Sequence, residues 1–319
     1  MERPVLPEWS GDKLRYVGPL QTCWKLGYTF SHRRQPAEDY YSAAISARVP
    51  LQDGEASPAR FEFGSERKAA EAVKAKAAEL GADDAGVTPV DPHYVYEGEE
   101  VEHRYAVVMA FEMDYDTIKD VPWETNWEWL RVYDQASRTA VALAEHIRGL
   151  GYPARAHTLR GEQLAMIPHA YAAGLGELGK HGSLINRRLG SMFRLAVVTT
   201  DLPMTPDAPR DEGIDDFCSK CQMCTQFCPG EAIAPEKQEV RGVMKWVVET
   251  EKCAPYWASY EACGICLQVC PWNAGALGGV WKRMYMDAVR REKPADLVAK
   301  LQSGVQQAWS LMERPSAQG

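Results

Sequence analysis

At 319 residues, 45% of them hydrophobic, the chain is long enough for two domains with a sizeable core. A formal net charge of -8 argues against a surface that tracks phosphate backbones, so nucleic acid is not the expected partner. No stretch approaches the ~18 apolar residues of a membrane span, and the first residues, MERPVLPEWSGDKLRYVG, lack the apolar centre of a secretory signal. Arg33 and Arg34 form a pair, but the polar QPAEDYY that follows does not continue a twin-arginine signal, and a cytoplasmic location is expected.

Residues 1–60 are rich in Pro, Arg and aromatics without clear periodicity and read as an extension that wraps a core. Ser65 is placed to cap a helix running to Leu80, with Gly81 as its stop. Tyr105 to Phe111 is a short apolar run and a predicted buried strand. A second helix is predicted from about Asn126 to Leu150, with Leu130, Tyr133, Ser137, Ala140, Ala144 and Ile147 on one face. Gln163 to Ala173 reads as a third helix, Met192 to Thr199 as a strand, and Pro206 to Gly213 as a linker. The tail beyond Trp281 is charged and helical in character. Helices alternating with strands predict an α/β or α+β domain ahead of the cysteine-bearing segment.

Eight of the nine cysteines fall in two runs. Cys218, Cys221, Cys224 and Cys228 follow C-x2-C-x2-C-x3-C and precede Pro229. Cys253, Cys263, Cys266 and Cys270 close with C-x2-C-x3-C and precede Pro271. This is the rhythm of ligands for a pair of [4Fe–4S] clusters, in which the last cysteine of each run crosses to the other cluster. Cys218, Cys221, Cys224 and Cys270 are therefore expected to hold one cluster, and Cys228, Cys253, Cys263 and Cys266 the other. Zinc needs four ligands rather than eight, and a chain of this size has little need of disulfides. Cys23 has no partner motif and reads as a free thiol. Electron carriers of this type need far fewer residues, so the long preceding segment is expected to house a second redox centre or a substrate site.

Two motifs mislead. Gly174, Gly176 and Gly179 spell G-x-G-x-x-G, but a dinucleotide fingerprint needs a strand before it and a helix after it, and QLAMIPHAYAA looks helical. Asp91 and His93 begin a cobalt-ligating D-x-H-x-x-G pattern that fails where Tyr96 replaces glycine, so His93 reads as an ordinary loop residue.

The stretch AGLGELGKHGSLINRRLGSMFRLAVVTTDLP (Ala173 to Pro203) followed by DDFCSKCQMCTQFCPGEAI resembles the corrinoid-dependent superfamily of reductive dehalogenases and epoxyqueuosine reductases. Upstream MAFEMDYDTI and LAEHIRGLGYPA and downstream CGICLQVCPWN extend the likeness over about two thirds of the chain. The resemblance implies a nitroreductase-like core holding cobalamin base-off, without a protein ligand on cobalt, beside a ferredoxin-like domain. The implied organisation is an extension over 1–60, a corrinoid-binding core over 61–205, a two-cluster domain over 206–285 and a tail over 286–319. His157, Lys180, His181 and Asn186 lie in segments that by resemblance approach the corrin, and Gly174, Gly176 and Gly179 would let backbone come close to it. An external ferredoxin, flavodoxin or reductase is the implied electron donor.

Within the superfamily, dehalogenases resemble one another in a tyrosine on the helix leading into IR-x-LGY, where epoxyqueuosine enzymes carry an aspartate. Here Tyr133 is on the predicted inward face, and Asp134 lies about 100° around the helix, towards its polar side. The ending IRGLGY and the segment EMDYDTI also look like dehalogenases, and the helical-repeat domain of many epoxyqueuosine reductases does not follow the clusters. The dehalogenase branch, with an aromatic organohalide as substrate, is the preferred expectation. The rivals are an epoxyqueuosine reductase and a corrinoid or iron–sulfur electron carrier. A phenol of ordinary pKa near 10 is a poor proton donor unless a cation stabilises its phenolate. By resemblance that cation comes from the strand SMFRLAVV, where Arg194 is the candidate and Met192 stands where many relatives have a second basic residue. Trp123, Trp127 and Trp129 could line a pocket but are left unassigned.

Overall fold

The computed structural model describes residues 36–118, 126–240, 242–259 and 263–273. Cys23, Trp123, the side chain of Trp127 and the tail beyond Trp281 lie outside that description. Helix α1 (Pro36–Arg48) comes first, followed by α2 (Glu66–Glu79). Ser65 caps α2 as its sequence position predicts: its side chain accepts from the Lys68 N–H. Ala69, Ala70, Val73 and Ala77 form the buried stripe, the spacing of one helical face. Ser65→Ala should lower stability by about 1 kcal/mol, because that backbone donor loses its acceptor; urea unfolding of the two proteins measures it.

Strands β1 (Asp84–Pro89) and β2 (Tyr105–Glu112) pair antiparallel, with Val87 opposite Val107. The long helix α3 (Asn126–Gly149) then crosses to β3 (Ala154–His157). Helix α4 (Met166–Ala172) leads into a small hairpin of β4 (Glu177–Leu178) and β5 (Leu184–Ile185), and β6 (Phe193–Thr200) completes the main sheet. That sheet has the order β1-β2-β6-β3 and is antiparallel at every pairing.

Side-chain alternation along the strands gives the sheet two apolar faces. Val107, Met109, Phe111, Ala196 and Val198 pack against α2 and α3, with Ala136, Ala140, Leu143, Ala144 and Ile147 from α3. Ala106, Val108, Ala110, Leu195 and Val197 face the other way, onto Leu164, Ala170, Leu175 and Leu184. The mixed α/β character expected from sequence is therefore built as helices on one face and loops with one short helix on the other. A third apolar cluster, around Phe217, Met223, Trp246 and Trp272, surrounds the cysteines.

Two sequence expectations change. The third helix starts at Met166 rather than Gln163, because residues 163–165 run extended beside residues 94–96: Tyr96 N–H donates to the Gln163 carbonyl and Ala165 N–H to the Tyr94 carbonyl. Asp134 is not on a solvated face. It is 5% exposed, because α1 lies across that side of α3 and brings Arg48 Nη1 to 2.5 Å from its carboxylate. Arg138 adds a second contact, with Nε at 3.2 Å.

Candidate iron–sulfur and active site

Beyond the linker, α5 (Ile214–Lys220) buries Ile214 and Phe217 and carries Cys218. Its first-turn backbone N–H groups meet the Glu177 carboxylate, which accepts from Ile214 and Asp215 and joins the cysteine segment to the β4 hairpin. Single helical turns, Met223–Gln226 and Ile265–Gln268, carry Cys224 and Cys266, and Cys253 lies on the helix Thr250–Ser259. Pro229 and Pro271 end the two runs.

Cys218, Cys221, Cys224 and Cys270 line a single pocket, walled further by Lys180, His181, Phe217, Met223, Pro271 and Trp272; Cys228 is not among its walls. Burial pushes the thiols of Cys218 and Cys224 up to about 12, with neighbouring cysteines adding to the effect, and raises Cys221. Cys270 and Cys266 are raised well above the ordinary thiol value, again chiefly by burial. Cys224, Cys263, Cys253 and Cys228 all bear electrostatically on Cys266. All eight are free of disulfides. Thiols held this way stay protonated unless a metal takes the proton's place. Two groups of four soft sulfur donors, packed in apolar surroundings, fit [4Fe–4S] clusters in composition and number.

The residues expected to reach a corrin separate into three places. Lys180 and His181 stand against the first set of thiols. Lys180 is 1% exposed, its ammonium donating to the Pro235 carbonyl at 2.8 Å and lying 4.7 Å from the Trp246 ring centroid. Burial lowers its pKa while Cys224, Cys221 and Cys218 oppose that shift. Burial lowers His181 to about 4.

His157 and Asn186 are engaged elsewhere. His157 sits on the α4 face of the sheet with one ring nitrogen 2.9 Å from Thr199 Oγ1 and the other accepting from Gln163 N–H. Asn186 donates to Asp84 and to the Leu175 carbonyl, and accepts from the Arg188 and Leu189 N–H groups. Both side chains have their hydrogen-bonding capacity taken up within the chain. The glycines make room for the protein itself: a Cβ at Gly174 would meet the Ala208 carbonyl, one at Gly176 the Ile185 carbonyl, and one at Gly179 the side chains of Ile185 and His181. The G-x-G-x-x-G run joins a helix to a hairpin, not a strand to a helix, which agrees with rejecting a dinucleotide fold.

Burial depresses His157 to about 3, and this has a consequence for acid stability. The ring stays neutral in the fold while the unfolded chain takes up a proton near pH 6.5. Its contribution is therefore full above that pH and is lost as pH falls towards the folded value. Wild type should lose more stability between pH 7.5 and 5.5 than His157→Gln, measured as the shift in urea midpoint.

Tyr133 and Arg194 are brought together from α3 and β6. The Arg194 guanidinium lies 5.3 Å from the Tyr133 ring centroid and 4.7 Å from that of Trp129. Its Nε is buried without a hydrogen-bond partner among the described residues. Arg194 pairs with Phe111 in the sheet and shares a strand face with Ala196 and Val198, which fixes its side towards α3. The sequence left Trp129 unassigned; only the approach of β6 to the start of α3 reveals it. A cleft of about 1000 Å³, walled by Ile167, Tyr171, Leu178, Leu184 and Trp246 among others, opens on the opposite face of the sheet. Trp246 and Lys180 separate it from the first thiol pocket. The described residues thus offer room for a group of corrin size and an orphaned cationic donor beside two aromatic rings, on different faces.

A mixed α/β domain joined to two four-thiol sets defines an iron–sulfur protein of the two-cluster class, and the family model of the 4Fe-4S dicluster domain matches residues 217–274. The chain is similar to reductive dehalogenases and, over a shorter stretch, to epoxyqueuosine reductases. It is 33% identical over 184 residues to the tetrachloroethene reductive dehalogenase of Desulfitobacterium hafniense, covering 53% of this chain and 33% of that protein. An epoxyqueuosine reductase of Leadbetterella byssophila is 37% identical over 114 residues, 34% of this chain and 36% of the relative. Among solved structures, the catabolic reductive dehalogenase NpRdhA in complex with 3-bromo-4-hydroxybenzoic acid superposes with a TM-score of 0.75 and 31% identity, over 83% of this chain and 41% of that one. The match spans about a third of the length of the curated dehalogenases. No helix among the described residues is long and apolar enough to cross a membrane.

Proposed function

We propose that the chain is a cobalamin-dependent reductive dehalogenase that removes halide from an aromatic organohalide, with electrons arriving through two [4Fe–4S] clusters from an external ferredoxin, flavodoxin or reductase. The observation that carries this reading is the Arg194 guanidinium over the rings of Tyr133 and Trp129, joined to the homology with the dehalogenases. Bound cobalamin, base-off, would supply low-potential cobalt chemistry at the carbon–halogen bond.

The chain's own residues then have separate tasks. Cys218, Cys221, Cys224 and Cys270 hold one cluster; Cys228, Cys253, Cys263 and Cys266 hold the other. The Tyr133 hydroxyl gives a proton to the carbon that loses halide, and the charge of the half-buried Arg194 offsets the negative charge left on the phenol oxygen. The rings of Trp129 and Tyr133 offer flat apolar surface to an aromatic substrate. The aspartate-donor alternative is weakened, because Asp134 is buried and paired with both Arg48 and Arg138.

The test is anaerobic reconstitution with cobalamin, iron and sulfide, followed by parallel assays of halide release from halogenated phenols and of queuosine formation in tRNA. Halide release supports the proposal. Queuosine formation without halide release replaces it with the tRNA-modifying reading, and reconstituted protein that takes up no corrinoid leaves an electron carrier.

A further inference from the structure

His181 is buried, at 7% exposure, and only one of its ring nitrogens is satisfied. Nδ1 accepts the Ser183 backbone N–H at 3.2 Å, which makes Nδ1 the unprotonated nitrogen and puts the ring proton on Nε2. Nε2 has no hydrogen-bond partner among the described residues. A buried donor left unmade costs about 1–3 kcal/mol, so such a group ordinarily has a partner. The ring lines the pocket of Cys218, Cys221, Cys224 and Cys270, and that pocket is where an acceptor for Nε2–H would be found.

Local sequence is arranged around this ring. A Cβ at Gly179 would stand 2.9 Å from His181 Cε1 and 2.6 Å from Ile185 Cδ1, so glycine there leaves the space that the imidazole occupies. The Lys180 backbone N–H bonds to Cys218, and its buried ammonium acts on Cys218, Cys221 and Cys224. The turn from Gly179 to His181 thus presents a cation, a backbone donor and an imidazole donor to one set of thiols.

We propose that His181 is a positioning and tuning residue for one iron–sulfur cluster: its Nε2–H donates a hydrogen bond to a sulfur of the cluster held by Cys218, Cys221, Cys224 and Cys270 and raises that cluster's reduction potential relative to its neighbour's. Reduction adds negative charge to the cluster sulfurs, and a hydrogen bond to them is stronger in the reduced state. Removing the donor therefore favours the oxidised state. The inference rests on the two-cluster reading and is independent of the halide chemistry.

The experiment is a redox titration of the anaerobically reconstituted full chain with dithionite, followed by electron paramagnetic resonance, in wild type, His181→Phe and His181→Gln. Phenylalanine fills the ring's volume without a donor. The reduced-to-oxidised ratio of one cluster at a fixed potential should fall about tenfold, equivalent to about 59 mV for a one-electron couple, while the other cluster stays in place. Glutamine retains an N–H and should recover part of that shift. In wild type carrying ring-15N histidine, the reduced cluster should show a weak nitrogen hyperfine coupling, a readout that needs no substitution and survives even if His181→Phe fails to assemble. Unchanged midpoints in a His181→Phe protein with full iron content, an equal shift of both clusters, or no nitrogen coupling in labelled wild type would each overturn the proposal.

Discussion

Tyr133→Phe is expected to slow halide release by about two to four orders of magnitude, the usual contribution of a general acid, while both clusters and the fold survive. The substitution keeps the ring that lies against Arg194 and removes only the hydroxyl. Arg194→Met should also slow turnover, because the departing proton then leaves a phenolate with no compensating charge. If the two side chains act as one unit, the double variant should be barely slower than Tyr133→Phe alone, since removing either disables the same step. Single-turnover halide release, with corrin content measured on the same samples, is the deciding comparison. A Tyr133→Phe protein with full activity and normal corrin content would remove the proton-donor assignment. The reacting carbon would then belong on the other face of the sheet, beside the cleft that Trp246 borders.

The second large effect concerns the clusters. The reconstituted chain should contain about eight iron and eight sulfide, and Cys270→Ser should lower iron to about four by disabling one cluster. The geometry behind this is specific: Cys270 lines the pocket of Cys218, Cys221 and Cys224, whereas Cys228 does not. Cys270→Ser and Cys224→Ser should therefore erase the same paramagnetic signal, although their positions lie in different cysteine runs. Cys228→Ser should erase the other. Turnover should be lost in all three, because an interrupted electron path stops the reaction whichever cluster is missing. Bound zinc, or iron near four in the unsubstituted chain, would defeat the two-cluster assignment.

The amino-acid sequence determined a good deal on its own. The spacing of eight cysteines specified the donor chemistry, because cluster ligation demands sulfur at fixed local intervals. The cap at Ser65, the 3.6-residue stripe of α3 and the apolar runs that became β2 and β6 were legible because each depends on near neighbours in the chain. Resemblance to the dehalogenases added Tyr133 and Arg194 as a candidate pair. Tertiary structure decided the rest. Asp134 is a buried ion-pair partner only because α1, whose helix the sequence pattern did not disclose, lies across α3. Lys180 and His181 face thiols because the β4 hairpin is joined through Glu177 to the start of α5. Arg194 reaches Trp129 and Tyr133 because the register of β2 against β6 turns that side chain towards α3; a slip of one residue would turn it to the other face. Periodicity and caps are set within a few residues, whereas these contacts depend on how distant segments align, and no local pattern encodes that alignment.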